Sequence, residues 1–268
     1  MTSGDSPAVL VHFKGSADLS AAYGMPYDAR APYVYQTLTA YADRMQTTAR
    51  ATLASQFNLS ESDHDYTVLW IDNSIAISHL TGPMLSSLES DPNIASIETQ
   101  KLIPSPQMPG AEQVAEINGT DPIVSSLEHI HVPEVWNAGY HGEGIVVANI
   151  DTGVRYTHHA LVNQYRGNLG GGTFDHNKNW YDPYNHSAAP RQTANHGSHT
   201  MGTIVGDNVD FFPNPPDRHQ TGAAPKAKWI ACIGFGAAGG SATNAGLLEC
   251  GQWTIAPYDT SGSGTPDP

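Results

Sequence analysis

Basic residues are scarce in this chain: 12 Lys and Arg stand against 26 Asp and Glu, a formal charge of −14 over 268 residues. Phosphate backbones are held by clustered cations, and none are clustered here, which speaks against a nucleic-acid partner. The same shortage speaks against an anionic membrane surface. Long apolar runs are missing too, and none approaches the roughly 20 residues of a membrane span. The opening residues MTSGDSPAVLVHFKG lack the basic start and apolar stretch of a signal peptide. Cysteine is nearly absent: Cys232 and Cys250 allow one disulfide or two free thiols, and the sequence does not choose. What is present, 39% hydrophobic residues against 14% charged, describes a globular chain with material for a core. Three N-x-S/T sequons, at Asn58, Asn118 and Asn185, would suit a secreted protein, although such tripeptides arise easily by chance.

Along the chain the pattern changes once. AVLVHFKG reads as a strand, and from Pro32 a helical spacing follows through Val34, Leu38, Tyr41, Met45, Ala49 and Leu53. YTVLWIDNSIAISHL gives two strands around a turn at Asp72 and Asn73, Pro83 starts a second helix, and IASIET closes with a strand. The order β-α-β-β-α-β predicts a ferredoxin-like α+β domain over residues 1–105. Pro104, Pro106 and Pro109 then mark a linker, placed at 106–118, with a second domain over 119–268. There GIVVANI and KWIACIGFG are near-continuous apolar runs, expected of strands buried on both faces of a parallel sheet. HTMGTIVG and SATNAGLLECGQWTIAP read as helices, so the second domain is expected to be an open α/β sheet.

Two places could carry chemistry. Asp151 ends a buried strand at a DTG turn, where open α/β sheets place their sites, but an Asp that only caps a turn reads the same way. A second D-T/S-G, which an aspartic protease needs for its paired carboxylates, is absent. His196 and His199 lie three apart in HGSHTMGTIVG. A zinc site needs a third ligand, and the pair lacks the glutamate of H-E-x-x-H. A histidine at a helix start can instead serve as a base, provided a carboxylate fixes its tautomer.

WNAGYHGEGIVVANIDTGVRYTHHAL followed by NHGSHTMGTIVG resembles the subtilisin family of serine proteases, in its bacillopeptidase F-like branch. LLECGQWTIAPYD strengthens the likeness. The resemblance covers most of the chain. It implies that His196 is the general base, that Asp151 orients it, and that His199 is structural. It implies that residues 1–105 are a propeptide that binds the cleft and assists folding, cut near ETQKLIPSPQMPG. It also implies a polypeptide substrate, an extracellular location, and a non-prime cleft lined by GFGAAGGSAT.

The match has gaps. No G-T-S-M-A type serine motif occurs, and the oxyanion asparagine has no clear position, so the chain as it stands is expected to lack the nucleophile and to be inactive. The fold expected is therefore a ferredoxin-like propeptide domain followed by an incomplete subtilisin-like α/β domain. Asp151 and His196 are 45 residues apart (196 − 151), longer than in compact members, with GGGTFDHNKNWYDPYNHSAAPRQTA as the insertion. Where the family's calcium-binding aspartate falls, this chain has Ala160, so no metal or other cofactor is expected. His176, His186 and His219 are read as solvated loop residues. Two other functions stay open: a non-catalytic inhibitor or folding partner of a related protease, and, as a minor case, a metal hydrolase using Asp151, His196 and His199.

Overall fold

The computed structural model describes residues 6–105, 123–208, 220–262 and 266–268. The linker placed at 106–118, and His219, lie outside the described residues. Two compact units emerge, one of Met1–Ile103, Thr243–Ala256 and Pro268, the other of Pro104–Ala242 and Pro257–Asp267.

The first unit runs β1 (Val9–Phe13), α1 (Tyr27–Phe57), β2 (Tyr66–Leu69), β3 (Ser74–Ile77), α2 (Gly82–Glu89) and β4 (Ile94–Thr99). Its strands pair antiparallel in the order β2-β3-β1-β4, with Val9 opposite Ile77 on one side and Thr99 on the other. Side chains of β1 alternate between two cores, as the pleat requires. Val9, Val11 and Phe13 pack with Ala49 and Leu53 of α1 and Met84 and Leu88 of α2. Leu10 points the other way, against Leu69, Ala76 and Ala245. Ala245 belongs to the helix Asn244–Ile255, which groups with this unit although it lies far along the chain. Gln252 of that helix accepts the Trp70 amide at 3.1 Å and donates to Val68 O at 3.2 Å.

Helix α1 begins at Tyr27, five residues before the expected start, and carries Pro32 inside it. Pro32 is the sixth residue of the helix, so α1 runs through it without the bond that an N–H there would give the Asp28 carbonyl. Its buried face is Ala42, Gln46, Ala49 and Leu53, one residue around from part of the expected stripe.

The second unit contains α3 (Ser125–His129), α4 (Val132–Asn137), β5 (Val146–Asp151), β6 (Asn168–Gly170), β7 (Thr173–Phe174), β8 (Trp180–Tyr181), α5 (His196–Val205) and β9 (Lys228–Ile233). A parallel sheet has the order β5-β9-β8, with Lys228 to Ile233 opposite Val146 to Asp151 and Ala231 opposite Trp180. Strand β9 is central, and Trp229, Ala231 and Ile233 pack with Trp180, Tyr165 and Met201 in the core. Strand β5 departs from expectation. Among the described residues it pairs on one side only, and its side chains alternate, with Val146 and Ile150 45% and 37% exposed while Asn149 and Asp151 are buried.

The three loop histidines also need correcting where they are described. His176 is half-buried, its Nδ1 2.9 Å from the Tyr165 hydroxyl and its ring against Tyr156 and Phe174. That burial lowers its pKa from the usual imidazole value. His186 is half-buried as well. Neither of the two cysteines carries a free thiol.

Candidate active site

Asp151 is the last residue of β5, at the carboxyl end of the parallel sheet. Strand alternation puts Asn149 on the same buried face two residues earlier. The Asp151 carboxylate accepts the Thr152 amide at 2.6 Å, and His196 Nδ1 lies 2.8 and 2.9 Å from its two oxygens. A carboxylate can only accept, so Nδ1 is the donor and the second ring nitrogen, Nε2, is left for other chemistry. Their side chains are 11% and 22% exposed, which keeps the bond largely out of water while the imidazole edge stays reachable.

A second pair of residues supports the carboxylate. The Thr200 hydroxyl is 3.1 Å from Asp151 Oδ2 and accepts Asn149 Nδ2 at 2.9 Å. Sequence reasoning passed over both, although a signal existed. Thr200 is four residues after His196 on the same helix face, and Asn149 is two before Asp151 on the same strand face.

The DTG turn is locked from every side. Thr152 Oγ1 donates to Ala194 O and accepts the Gly197 amide, each at 2.9 Å, and the Thr152 carbonyl accepts the Thr193 amide at 2.8 Å. Gly153 has φ +87°, and a Cβ there would stand 1.9 Å from Arg191 O. A Cβ on Gly197 would stand 2.3 Å from Gly153 O, so the helix start and the turn touch through backbone alone. This close approach brings His196 to Asp151.

The expected insertion proves to be the frame of the site. Its β8 is the third strand of the sheet, and Asp182, wholly buried, follows that strand. Asp182 accepts Arg191 Nε at 2.6 Å and Nη2 at 3.1 Å, the Tyr184 and Asn185 amides at 3.0 and 3.1 Å, and the Ser187 hydroxyl at 2.9 Å. Burial pushes its carboxyl upward, but these hydrogen bonds outweigh it and hold the carboxyl below its ordinary value. Arg191 also donates to Gly236 O at 3.1 Å, and the Tyr184 hydroxyl donates to Gly234 O at 2.7 Å. The loop thereby grips the segment after β9 as well as the DTG turn.

The other residues singled out in the sequence fall outside the dyad. His199 does not join Asp151 and His196, and among the described residues no group of three or more His, Cys, Asp or Glu is placed to hold a metal ion. Ala160 brings no carboxylate, and its carbonyl accepts the Asp207 amide at 2.9 Å. Ser198 Oγ accepts the Arg155 amide and donates to Gln192 Oε1 at 2.8 Å, turned away from the dyad.

A buried carboxylate at the end of a parallel strand, bonded to the first histidine of a following helix, has the chain order of aspartate before histidine found in subtilisin. Residues 142–247 match the sequence profile of the subtilase family, peptidase S8, and this chain belongs to that family of subtilisin-like serine proteases. It is 34% identical over 242 residues, 87% of its length, to Bacillopeptidase F of Bacillus subtilis (strain 168). It is also 34% identical over 128 residues, 46% of its length, to the Minor extracellular protease Vpr of the same organism. The chain spans 16% and 14% of those two relatives.

Proposed function

We propose that this chain contributes the acid and the base of a serine-type endopeptidase that acts outside the cell. The observation that carries the reading is the Nδ1 bond of His196 to Asp151, at 2.8 and 2.9 Å. It fixes the tautomer that leaves Nε2 free to take a proton from a serine hydroxyl and return it to the leaving amine. Asp151 holds the ring in place and stabilises the imidazolium as it forms. No serine of the family's G-T-S type stands in these 268 residues, and none of their serines is given the role of nucleophile.

Residues 1–105 are proposed as a ferredoxin-like propeptide that occupies the cleft until it is cut away. Its support is the β-α-β-β-α-β order and the antiparallel arrangement β2-β3-β1-β4. Secretion draws support from two facts: neither cysteine is a free thiol, which fits an oxidising compartment, and a relative is named an extracellular protease. Among the described residues no helix is long and apolar enough to cross a membrane.

The test uses the whole gene product containing these residues, assayed on casein and with a fluorophosphonate probe. Wild type hydrolyses casein and takes the label. Asp151→Asn loses about 10⁴-fold in turnover and His196→Ala about 10⁶-fold. An unlabelled, inactive product would end the protease reading; an Asp151→Asn enzyme within tenfold of wild type would end the role given to Asp151.

A further inference from the structure

Three successive carbonyls beyond the carboxyl end of β9 are each held by a side chain from the loop 182–193. The Tyr184 hydroxyl donates to Gly234 O at 2.7 Å, the Thr193 hydroxyl to Phe235 O at 2.8 Å, and Arg191 Nη2 to Gly236 O at 3.1 Å. The Tyr184 ring also lies against Gly236, where a Cβ would stand 2.6 Å from Cδ2. Backbone bonded through side chains keeps its course only while those side chains keep theirs, and here each is fixed a second time. Asp182 accepts the Tyr184 amide together with Arg191 Nε and Nη2, and the Thr193 amide is bonded to Thr152 O at 2.8 Å.

The segment held in this way borders the Asp151–His196 pair. The Phe235 amide donates to Asp151 O at 3.0 Å, so the two backbones run side by side. Thr193 is three residues before His196, and a Cβ on Gly240 would stand 3.7 Å from its Cβ and from its hydroxyl oxygen. In open parallel α/β sheets the ligand crevice lies beyond the carboxyl ends of the strands, and β5 and β9 end together here, Asp151 opposite Ile233. Residues 236–240 read Gly-Ala-Ala-Gly-Gly, so a chain approaching this stretch meets little side-chain bulk.

We propose that Tyr184, Arg191 and Thr193 are positioning residues: they hold residues 234–236 in place as one wall of the crevice that takes the polypeptide substrate. The inference rests on the protease reading and deepens it, because it puts substrate alignment under the control of the loop 182–193. A displaced wall holds an extended substrate less well in the ground state and the transition state alike, so the loss falls on KM and not on kcat.

The test uses the whole gene product on three substrates: casein, a capped four-residue nitroanilide copied from the residues before a casein cleavage site, and the nitrophenyl ester of the last of those residues. Thr193→Val removes the hydroxyl and keeps the amide bonded to Thr152 O, and Tyr184→Phe removes the hydroxyl and keeps the ring against Gly236. Arg191 is left in place, because its loss would strand the buried Asp182 carboxylate. Labelling by the fluorophosphonate probe at the wild-type extent shows that a variant is folded. Each variant raises KM for the nitroanilide about fivefold, the worth of one ordinary hydrogen bond, while kcat stays within about twofold of wild type. The ester is too short to run along the wall, and its KM rises less than about twofold. Thr193→Ser, which keeps the hydroxyl, brings the nitroanilide KM back to the wild-type range. A wild type that leaves casein intact removes the protease reading and this inference with it. With wild type active, the inference alone is overturned if either hydroxyl-free variant keeps the wild-type nitroanilide KM, if nitroanilide and ester suffer alike, or if Thr193→Ser is as impaired as Thr193→Val.

Discussion

Replacing Asp182 by alanine should loosen the active-site frame from a position that touches neither Asp151 nor His196. Its carboxylate is wholly buried and accepts five hydrogen bonds, two of them from Arg191. Removing one partner of a buried ion pair costs about 3–5 kcal/mol, chiefly because the other charge is stranded. Here Arg191 is 28% exposed and still donates to Gly236 O, so hydration recovers part of that loss. The expected cost is therefore at the low end, about 3 kcal/mol, and about 2 kcal/mol for Asp182→Asn, which keeps one acceptor for the turn amides. Because the chain has two units, a single global unfolding free energy is not well defined, and local hydrogen exchange is the suitable assay. Amides of Thr193, bonded to Thr152 O, and Phe235, bonded to Asp151 O, should lose protection together in Asp182→Ala. The acid response has a definite sign. A carboxyl depressed in the folded state stabilises above its unfolded value, and that stabilisation is lost as pH falls below about 4 through the folded value. Asp182→Asn should lack that part of the acid sensitivity. Protection at Thr193 and Phe235 unchanged in Asp182→Ala, with loss confined to 182–187, would refute the idea that this loop frames the site.

Two further substitutions probe the dyad directly. Gly197→Ala places a Cβ 2.3 Å from Gly153 O and 3.1 Å from Asp151 Cβ, so α5 must shift, at a cost of about 1–3 kcal/mol. The low-field Nδ1 proton signal expected for His196 should vanish in that variant, and a retained signal would show that the two backbones have slack. Thr200→Val leaves Asn149 Nδ2 without its acceptor and Asp151 Oδ2 without the hydroxyl 3.1 Å away, costing about 1–3 kcal/mol. The same Nδ1 proton should exchange faster with water, Thr200→Ser should restore the wild-type rate, and equal rates in all three proteins would remove Thr200 from the site.

Much of the local structure was legible because it depends on neighbours in sequence. The helix after Asn195, the central strand KWIACI and the turn at Asp72 and Asn73 all follow from periodicity and turn chemistry acting within a few residues. Misreadings came where tertiary position decides. GIVVANI is apolar enough for burial on both faces, yet among the described residues β5 is paired on one side only and exposes Val146 and Ile150, while its partner β9 has the buried register. His176 lies in a polar stretch that reads as solvated, and is half-buried because Tyr156, Tyr165 and Phe174 arrive from other segments.

The same distinction explains why Asp151 and His196 stand out in the sequence while their supports do not. Each glycine of the DTG and HGSH motifs answers one short contact: Gly153 against Arg191 O, Gly197 against Gly153 O. A contact between backbones admits only one residue type, so it leaves a recognisable letter at a fixed place. Asp182 and Arg191 hold the same turn through side chains, where the partner can be supplied from many positions and by several residue types. A hydrogen-bonded frame of that kind leaves no fixed spacing to read. Its residues fall within a stretch that looks like an insertion, because composition records what a loop is made of and not what it grips. Substitution of Asp182 or Arg191 should consequently disturb the geometry at Asp151 as substitution in the motif does, although nothing in their sequence pattern marks them.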